Sequence, residues 1–227
     1  MKVLAIIPAR GGSKRIPKKN IKLFLNKPVI AYAIKLAISS NIFDEVMVST
    51  DSEEIANVAL KYGAKVPFIR SNKTSSDYAT TFEVIDEVIT QYSSLNVEFD
   101  RACCIYPCTP LLTVETLLSS YKKLIDEKLD CVFPVIEYSF PIQRSVVIEN
   151  NRVKMNYPEF LKTRSQDLTP NYHDAGQFYF FEINKLLKFK NLYTDNTGVI
   201  ILSELDAQDI DNFSDWKLAE FKYKFRK

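Results

Sequence analysis

The feature that most constrains this fold is an alternation along the chain between short apolar, β-branched runs and segments with the apolar periodicity of helices. This alternation is typical of a mostly parallel sheet whose strands are joined by covering helices. We therefore expect an α/β fold. The predicted strands cover residues 2–8, 46–50, 66–70, 101–106, 131–135, 177–183 and 199–202.

Capping residues and helical periodicity predict helices between these strands. They are a helix over residues 28–39, one capped by Asp51 or Ser52 and ended by Gly63, one capped by Thr113, and one from Ser214 toward the C-terminus. Pro28 would occupy the first turn of the first helix, where its missing N–H costs nothing.

The length of 227 residues predicts one domain over residues 1–227. A Pro-rich and polar stretch over residues 136–172 interrupts the alternation, and within it RSVVIENNRVKMN reads as two short strands joined at Glu149, Asn150 and Asn151. We interpret it as a β-hairpin arm inserted into the domain. An arm that pairs subunits and a simple surface excursion are equally compatible with this pattern.

Charge and hydropathy exclude several classes of protein. The net charge of +2 gives no general attraction to nucleic acid or to an acidic membrane, so neither partner is expected. The first apolar run is too short for a secretory signal, and no apolar stretch approaches the length of a membrane span. A cytoplasmic location is expected.

The cysteines do not follow the spacing of a metal site. The chain has four cysteines and one histidine, without the paired spacings of zinc ligands. Cys103 and Cys104 are adjacent on a predicted strand and must point to opposite faces of the sheet. We expect buried thiols.

The segment IPARGGSKRIPKKN follows the first predicted strand and concentrates positive charge at the edge of the sheet where open α/β folds bind ligands. Gly11 and Gly12 would let backbone N–H groups approach an anion. The compensating cations would be Arg10, Lys14, Arg15, Lys18 and Lys19. A polyphosphate fits these requirements. The pattern matches neither GxxxxGK[ST] nor GxGxxG, and a solvated basic loop or a patch for RNA phosphates is the alternative.

The same segment resembles the signature of the CMP-sialic acid synthetase group of cytidylyltransferases. The resemblance continues through STDSEEIANVALKYGA, PFIRSNKTSSDYATT, CCIYPCTPLL, YHDAGQFY and QDIDNFSDWKLAE, in order over nearly the whole chain. Within the group, YHDAGQFY and the YPCTP turn are most similar to pseudaminic acid cytidylyltransferases. Sialic acid enzymes tend to carry Gln-Pro-Thr-Ser-Pro at the turn and Asn-Gly in place of the DAG triplet.

The resemblance implies a three-layer α/β/α, Rossmann-like nucleotidyltransferase fold with a mostly parallel mixed sheet, a dimer built partly on the inserted arm, and dependence on Mg²⁺. It also implies nucleotide contacts. These residues would be Arg10, Gly11, Gly12, Ser13, Lys19, Asn20, Arg70, Ser76, Asp77, Thr81 and Tyr106, with Arg10, Lys14 and Lys19 acting on the transition-state charge. Tyr106 takes the place of the family's usual Gln. An ordinary surface arginine is the alternative for Arg70.

Two carboxylates near the C-terminus are the candidate metal ligands. Asp209 and Asp211 are separated by one residue, so in an extended segment both face the same way and can share a hard cation. Carboxylates before a helix are more often caps or solvated turns. The family match at QDIDN favours the Mg²⁺ interpretation.

The remaining predicted site residues would bind an acidic sugar. Arg164 could grip its carboxylate through two parallel hydrogen bonds, across the dimer interface as the matching arginine does in the family. His173, Asp174, Gln177 and Tyr179 offer donors and acceptors for hydroxyl and acylamino groups, although a lone histidine is usually structural.

The function that follows from the resemblance is transfer of a cytidylyl group from CTP to a nonulosonic acid, most similar to pseudaminic acid, with release of pyrophosphate. The pathway implied is bacterial surface glycan or flagellin glycosylation. The same reaction on N-acetylneuraminic, legionaminic or Kdo-type acids is the near alternative. A non-catalytic module that binds phosphate or RNA through the basic loop is the alternative from another class.

Overall fold

A computed structural model describes residues 1–226 as a mixed sheet covered by helices on both faces. The strands are β1 Val3–Pro8, β2 Leu23–Phe24, β3 Lys27–Pro28, β4 Glu45–Ser49, β5 Arg101–Ile105, β6 Cys131–Glu137, β7 Val146–Glu149, β8 Arg152–Met155, β9 Tyr172–Asp174, β10 Phe178–Glu182 and β11 Thr197–Leu202. The helices are α1 Ile30–Ser39, α2 Glu53–Lys61, α3 Thr81–Ser94, α4 Val114–Asp126, α5 Ile183–Phe189 and α6 Phe213–Phe225.

The main sheet has the strand order β11-β6-β10-β5-β1-β4, and β9 also pairs with β6. Neighbours β11 and β6 are parallel, as are β1 and its two neighbours, whereas β10 runs antiparallel to both β5 and β6. The expected mostly parallel mixed sheet is confirmed. Short strand β9 continues the antiparallel pairing along the second half of β6.

Two apolar clusters on opposite faces of the sheet make three layers. One buries Ala5 and Ile7 of β1 against α1, α2 and α4, and the other buries Leu4 and Ile6 against α3 and α5. This alternation follows from the two-residue period of a strand. The predicted three-layer α/β/α arrangement is therefore confirmed. The paired cysteines obey the same rule, because Cys103 belongs to the first cluster and Cys104 to the second.

The helix caps match the sequence prediction closely. Ser52 Oγ accepts the N–H of Ile55 at the start of α2. Gly63 ends that helix with φ +95°, a left-handed conformation that glycine adopts without strain. Thr113 caps α4 as expected, and α6 begins one residue before the predicted Ser214.

Two predicted elements differ from the structure. Residues 66–70 are not a strand, since only Lys65 forms a bridge, with Met47. Pro67 has no N–H to continue the ladder. The first helix begins at Ile30 rather than at Pro28, because Pro28 pairs with Leu23 in the small β2–β3 hairpin.

The predicted hairpin arm is present within residues 136–172. Strands β7 and β8 pair antiparallel, and Asn150 and Asn151 at the turn have φ 51° and 58°. Two positive φ angles are the requirement of a type I′ turn. The arm leaves apolar side chains exposed, including Ile148 at 74% and Val153 at 69%. None of the helices in the part of the chain that the structure describes is long and apolar enough to cross a membrane.

Candidate active site

The main cleft lies where β1 and β5 end, at the edge of the sheet predicted to bind a ligand. It encloses about 490 Å³. The predicted site residues that line it are Arg10, Ser13, Lys14, Lys19, Asn20, Arg70, Asp77, Thr81, Tyr106, Asp209 and Asp211. The fold thus brings most of the predicted nucleotide and metal residues, which come from five separate segments, into one cavity.

The glycines of the basic loop have different surroundings. The Gly11 N–H donates to Asp51 Oδ1 at 2.8 Å, and a Cβ at this position would come within 3.1 Å of the Ser52 Cβ. Gly11 therefore packs the loop against the start of α2, and its N–H is already engaged. A Cβ at Gly12 would meet no atom within 4 Å, so this position faces open space.

Carboxylates of the chain pair with the cations that line the cleft. Asp77 accepts hydrogen bonds from Arg10 at 2.5 Å and from Lys14. The hydrogen bond from Lys14, followed by that from Arg10, lowers the pKa of Asp77. Arg15 donates to Asp211 at 2.7 Å. Four cations of the basic loop thus line the cleft, the fourth being Lys19.

Lys19 connects the basic loop to the acidic segment, and Asn20 holds the two ends of the loop together. Lys19 Nζ donates to the Ile210 carbonyl at 2.7 Å and lies 3.7 Å from Asp211 Oδ1. Asn20 is buried, and its Nδ2 donates to the Arg10 carbonyl at 2.9 Å. The Lys19 contacts hold the loop against the acidic segment that carries the candidate metal ligands.

Arg70 is a buried arginine rather than an ordinary surface residue. It is only 6% exposed, and its Nε donates to Ser49 Oγ at 3.0 Å at the end of β4. Burial lowers the pKa of its guanidinium, partly offset by the charge of Asp51. A buried guanidinium that still reaches the cleft is suited to a specific polar contact.

Thr81 and Tyr106 form a hydroxyl pair on another wall of the cleft. Their oxygen atoms lie 3.0 Å apart, and burial raises the pKa of Tyr106 to about 12. Thr81 begins α3, a helix not among those predicted, whose capping box joins Thr80 and Glu83. Ser76 does not line the cleft.

The acidic segment has the alternation expected of an extended strand. Ile210 is buried against Trp216, while Asp209 and Asp211 both line the cleft. Asp209 has much of its surface open to the cleft, yet the protein atoms around its carboxylate reduce its hydration. That desolvation, followed by the charge of Asp211, raises the pKa of Asp209.

The predicted sugar residues lie outside this cavity. Arg164 is exposed and makes a two-point ion pair with Asp167, at 2.7 and 3.1 Å. His173 Nδ1 lies 2.8 Å from the Asp174 carbonyl oxygen, and its ring packs 4.9 Å from that of Tyr138. Most of the predicted nucleotide and metal residues thus line the cleft, whereas the predicted sugar residues lie beyond it.

Two of the predicted sugar residues make contacts inside the protein. Gln177 is 2% exposed, and its Nε2 donates to the Asp206 carbonyl at 2.8 Å. The Tyr179 hydroxyl donates to Asp174 Oδ2. Burial and this hydrogen bond raise the pKa of Tyr179, so the phenol stays protonated.

Gly176 and Cys108 are among the cleft-lining residues that the sequence did not predict as site residues. Gly176 has φ +65°, and a Cβ there would lie 3.5 Å from Asp209 Cγ. A glycine between two short strands was the available signal. Cys108 also lines the cleft, although only its position in the YPCTP turn pointed to it.

The fold and the cleft together define a class. An α/β protein whose strands end at a cation-lined cavity is typical of proteins that bind phosphorylated ligands. The chain belongs to the cytidylyltransferase family, because the family model described as "Cytidylyltransferase" matches residues 4–208. It is a CTP-dependent nucleotidyltransferase, and the resemblance found in the sequence is confirmed.

Known proteins agree with this assignment. The chain is 46% identical over 225 residues to a pseudaminic acid cytidylyltransferase of Campylobacter jejuni, covering 99% of this chain and 97% of that protein. It is 32% identical to a CMP-N,N'-diacetyllegionaminic acid synthase of Legionella pneumophila, covering 97% and 95% of the two chains. A solved CMP:2-keto-3-deoxy-manno-octonic acid synthetase complexed with CTP shares the fold, with a TM-score of 0.72, 16% identity and full coverage of both chains.

Proposed function

We propose that this enzyme transfers the cytidylyl group of CTP to pseudaminic acid, a nine-carbon acidic sugar, and releases pyrophosphate. The 46% identity to the Campylobacter jejuni enzyme over nearly the whole of both chains is the observation that carries this choice of sugar. N-acetylneuraminic, legionaminic and Kdo-type acids are the alternative substrates. The Legionella pneumophila relative makes a legionaminic acid the strongest of these alternatives.

The cleft geometry supports the reaction. Attack of a sugar hydroxyl on the α-phosphate needs the phosphate charge neutralised and the reacting oxygens held in line, with little covalent help from the protein. Arg10, Lys14 and Lys19 would neutralise this charge, since all three line one cavity. Gly12 and Ser13 would lie along the phosphates, with Gly11 shaping the loop.

A second set of cleft residues would bind the nucleoside. Arg70, Thr81 and Tyr106 present a guanidinium and two hydroxyls there, with Asn20 holding the basic loop beside them. Ser76 and Asp77 lie on the exposed loop that precedes α3. In this assignment the phosphates of CTP would compete with the Asp77 carboxylate for Arg10 and Lys14.

A divalent cation fits the acidic segment. Among residues 1–226 no set of three or more His, Cys, Asp or Glu side chains forms a metal site, but Mg²⁺ is commonly bound by one or two carboxylates together with substrate phosphates. Asp209 and Asp211 supply that pair at the cleft. The ion would neutralise phosphate charge and favour loss of the proton from the attacking hydroxyl.

The sugar end of the site would be completed by a second subunit. Arg164, His173, Asp174, Gln177 and Tyr179 remain the proposed sugar residues. We place the dimer contact on the arm within residues 136–172, an insertion in a single domain of residues 1–227. Its exposed Ile148 and Val153 are the supporting observation. Light scattering on the intact protein would detect the homodimer.

We place the enzyme in the cytoplasm, where CTP is available, in a pathway that modifies flagellin or another surface glycan. Its substrates are soluble, so the assay needs neither nucleic acid nor a membrane.

Pyrophosphate release tests the function directly. Purified protein with CTP and Mg²⁺ receives pseudaminic acid in one reaction and N-acetylneuraminic acid in another. Release with the first alone is expected. Release with the second alone would retain the cytidylyl transfer and refute the choice of sugar. No release with either, or with legionaminic and Kdo-type acids, would favour a binding module.

Variants of the acidic segment test the metal assignment. Asp209→Asn and Asp211→Asn should lose nearly all turnover and keep the fold by circular dichroism, while Asp195→Asn on the exposed surface should retain activity. Normal turnover of the first two variants with Mg²⁺ would show that these carboxylates do not hold the cation. Because a phosphate- or RNA-binding module makes no use of them, its binding would also survive both changes.

A further inference from the structure

The carboxylate of Asp174 accepts three hydrogen bonds inside the protein. It lies at the end of β9, where Asp174 pairs with Val135 of β6. Its Oδ1 accepts the Gly176 N–H at 2.7 Å, while its Oδ2 accepts the hydroxyls of Tyr179 and, at 3.1 Å, Tyr193. Three donors therefore occupy most of the capacity of one carboxylate.

On one side, this hydrogen-bond network leads to the Thr81–Tyr106 hydroxyl pair that lines the cleft. Tyr179 is buried, and its ring contacts the ring of Tyr106 edge to face with centroids 5.9 Å apart. Tyr106 lines the cleft and shares a hydrogen bond of 3.0 Å with Thr81. The position of the Tyr106 ring thus depends on a neighbour that Asp174 fixes.

On the other side, the network leads to Asp209, a candidate metal ligand. The hydrogen bond from Gly176 to Asp174 holds the turn between β9 and β10, and Gly176 both lines the cleft and lies against Asp209. Asp174 itself does not line the cleft. It contacts the cleft wall directly at Gly176 and reaches Tyr106 only through Tyr179.

Tyr193 is the outermost member and is not part of any motif. Its ring is half exposed, stacks edge to face on Phe133 at 5.1 Å, and lies outside the cleft. Its hydroxyl reaches Asp174 beside that of Tyr179. Tyr193→Phe takes away one partner of Asp174 without deleting an atom that lines the cleft, which makes it a direct probe of the network.

We propose that Asp174 and Tyr193 are positioning residues rather than direct ligands of the sugar. Through Tyr179 and Gly176 they hold the wall of the nucleotide-binding cleft in place. The inference rests on the proposed function for the identity of the nucleotide. It revises the sugar-binding role expected for Asp174 and adds Tyr193 to the residues on which catalysis depends.

The test is CTP binding by calorimetry in the presence of Mg²⁺ and the absence of sugar. Asp174→Asn keeps an oxygen for the Gly176 N–H but cannot accept both phenols, so CTP affinity should fall by about 10-fold. Tyr193→Phe should weaken it by about 2- to 5-fold. The double variant should match Asp174→Asn alone, because both changes act on one network. Asp195→Asn is the charge-matched control on the exposed surface.

Steady-state kinetics separate positioning from direct sugar contact. Positioning raises the KM for CTP in both variants and leaves the KM for the sugar unchanged in Tyr193→Phe. Unchanged CTP affinity in both variants, or a rise confined to the sugar KM of Asp174→Asn, would overturn the proposal. Additive losses in the double variant would overturn it too. If Asp174→Asn does not fold, Tyr193→Phe alone decides. A wild-type protein that does not bind CTP would instead refute the proposed function.

Discussion

Replacing Lys222 by methionine should loosen the segment that carries the candidate metal ligands. Lys222 lies on α6, and its Nζ donates to the carbonyls of Glu204 and Ala207 at 2.6 and 2.9 Å and to Gln208 Oε1 at 3.0 Å. These acceptors immediately precede Asp209. Methionine has nearly the helix propensity and length of lysine, so the change removes mainly the ammonium group.

The expected loss follows from those three contacts. A hydrogen bond to a charged group contributes roughly 1.5–3 kcal/mol when it is well buried. Lys222 is half-buried, so water can replace part of each contact, and we expect about 1–2 kcal/mol for the three together. In a domain of this size that corresponds to a fall in Tm of about 2–8 °C.

Thermal unfolding of wild type and variant measures this loss, with Lys224→Met as the matched control. Lys224 is exposed on the same helix and forms no side-chain hydrogen bond or ion pair within residues 1–226. Lys222→Met should also raise the Mg²⁺ concentration needed for half-maximal turnover, since Asp209 is held less firmly. A Tm and a Mg²⁺ requirement equal to those of Lys224→Met would refute the reasoning.

Three further predictions concern the cleft. Asp77→Asn should lower the KM for CTP by roughly 2- to 5-fold, because the cations Asp77 now engages become free. Lys14 first, and then Arg10, lower the pKa of Asp77. The difference in KM between wild type and Asp77→Asn should therefore persist at all pH values above the ordinary pKa of an aspartate, and it should vanish as the pH falls through the lowered pKa. A weaker CTP affinity in Asp77→Asn would instead assign Asp77 to nucleotide binding. Gly176→Ala should cost about 1–2 kcal/mol of stability for its left-handed backbone. It should also weaken CTP binding and turnover, because Gly176 lies against Asp209 in the cleft, and unchanged melting and turnover would contradict this. The thiol of Cys108, whose pKa burial raises to about 12, should label slowly in the native protein and more slowly with CTP, and labelling that ignores CTP would place this residue away from the nucleotide.

Local signals in the sequence were sufficient for much of the fold. The caps at Ser52 and Thr113 and the stop at Gly63 depend on a few neighbouring residues, and the structure confirms all three. Strand β1 is buried on both faces, which explains why it appears as an unbroken apolar run.

The prediction was wrong at one element and incomplete at another, for different reasons. Residues 66–70 have the composition of a strand, but Pro67 prevents continued pairing. Helix α3 was missed although Thr80 and Glu83 form a capping box whose spacing is visible in the sequence.

Most of the predicted nucleotide and metal residues line the cleft, but the pairings among them could not be predicted from the sequence. The family motifs identified Arg10, Asp77 and Asp211, yet the ion pairs among the cleft residues depend on how distant segments meet. The network around Asp174 includes Tyr193, which no motif contains. Side-chain partners of this kind follow from the tertiary structure alone.

The antiparallel strand β10 has a consequence for how the protein is made. Because β10 lies between β5 and β6, these two strands cannot join one sheet until residues 178–182 have left the ribosome. Until then β4, β1 and β5 can pair, and the outer side of β5 is an open edge able to recruit strands of other chains. The contacts that close the sheet span long sequence distances and form slowly. A nascent chain stalled before β10 is therefore the species most exposed to aggregation, and the one for which a chaperone matters most.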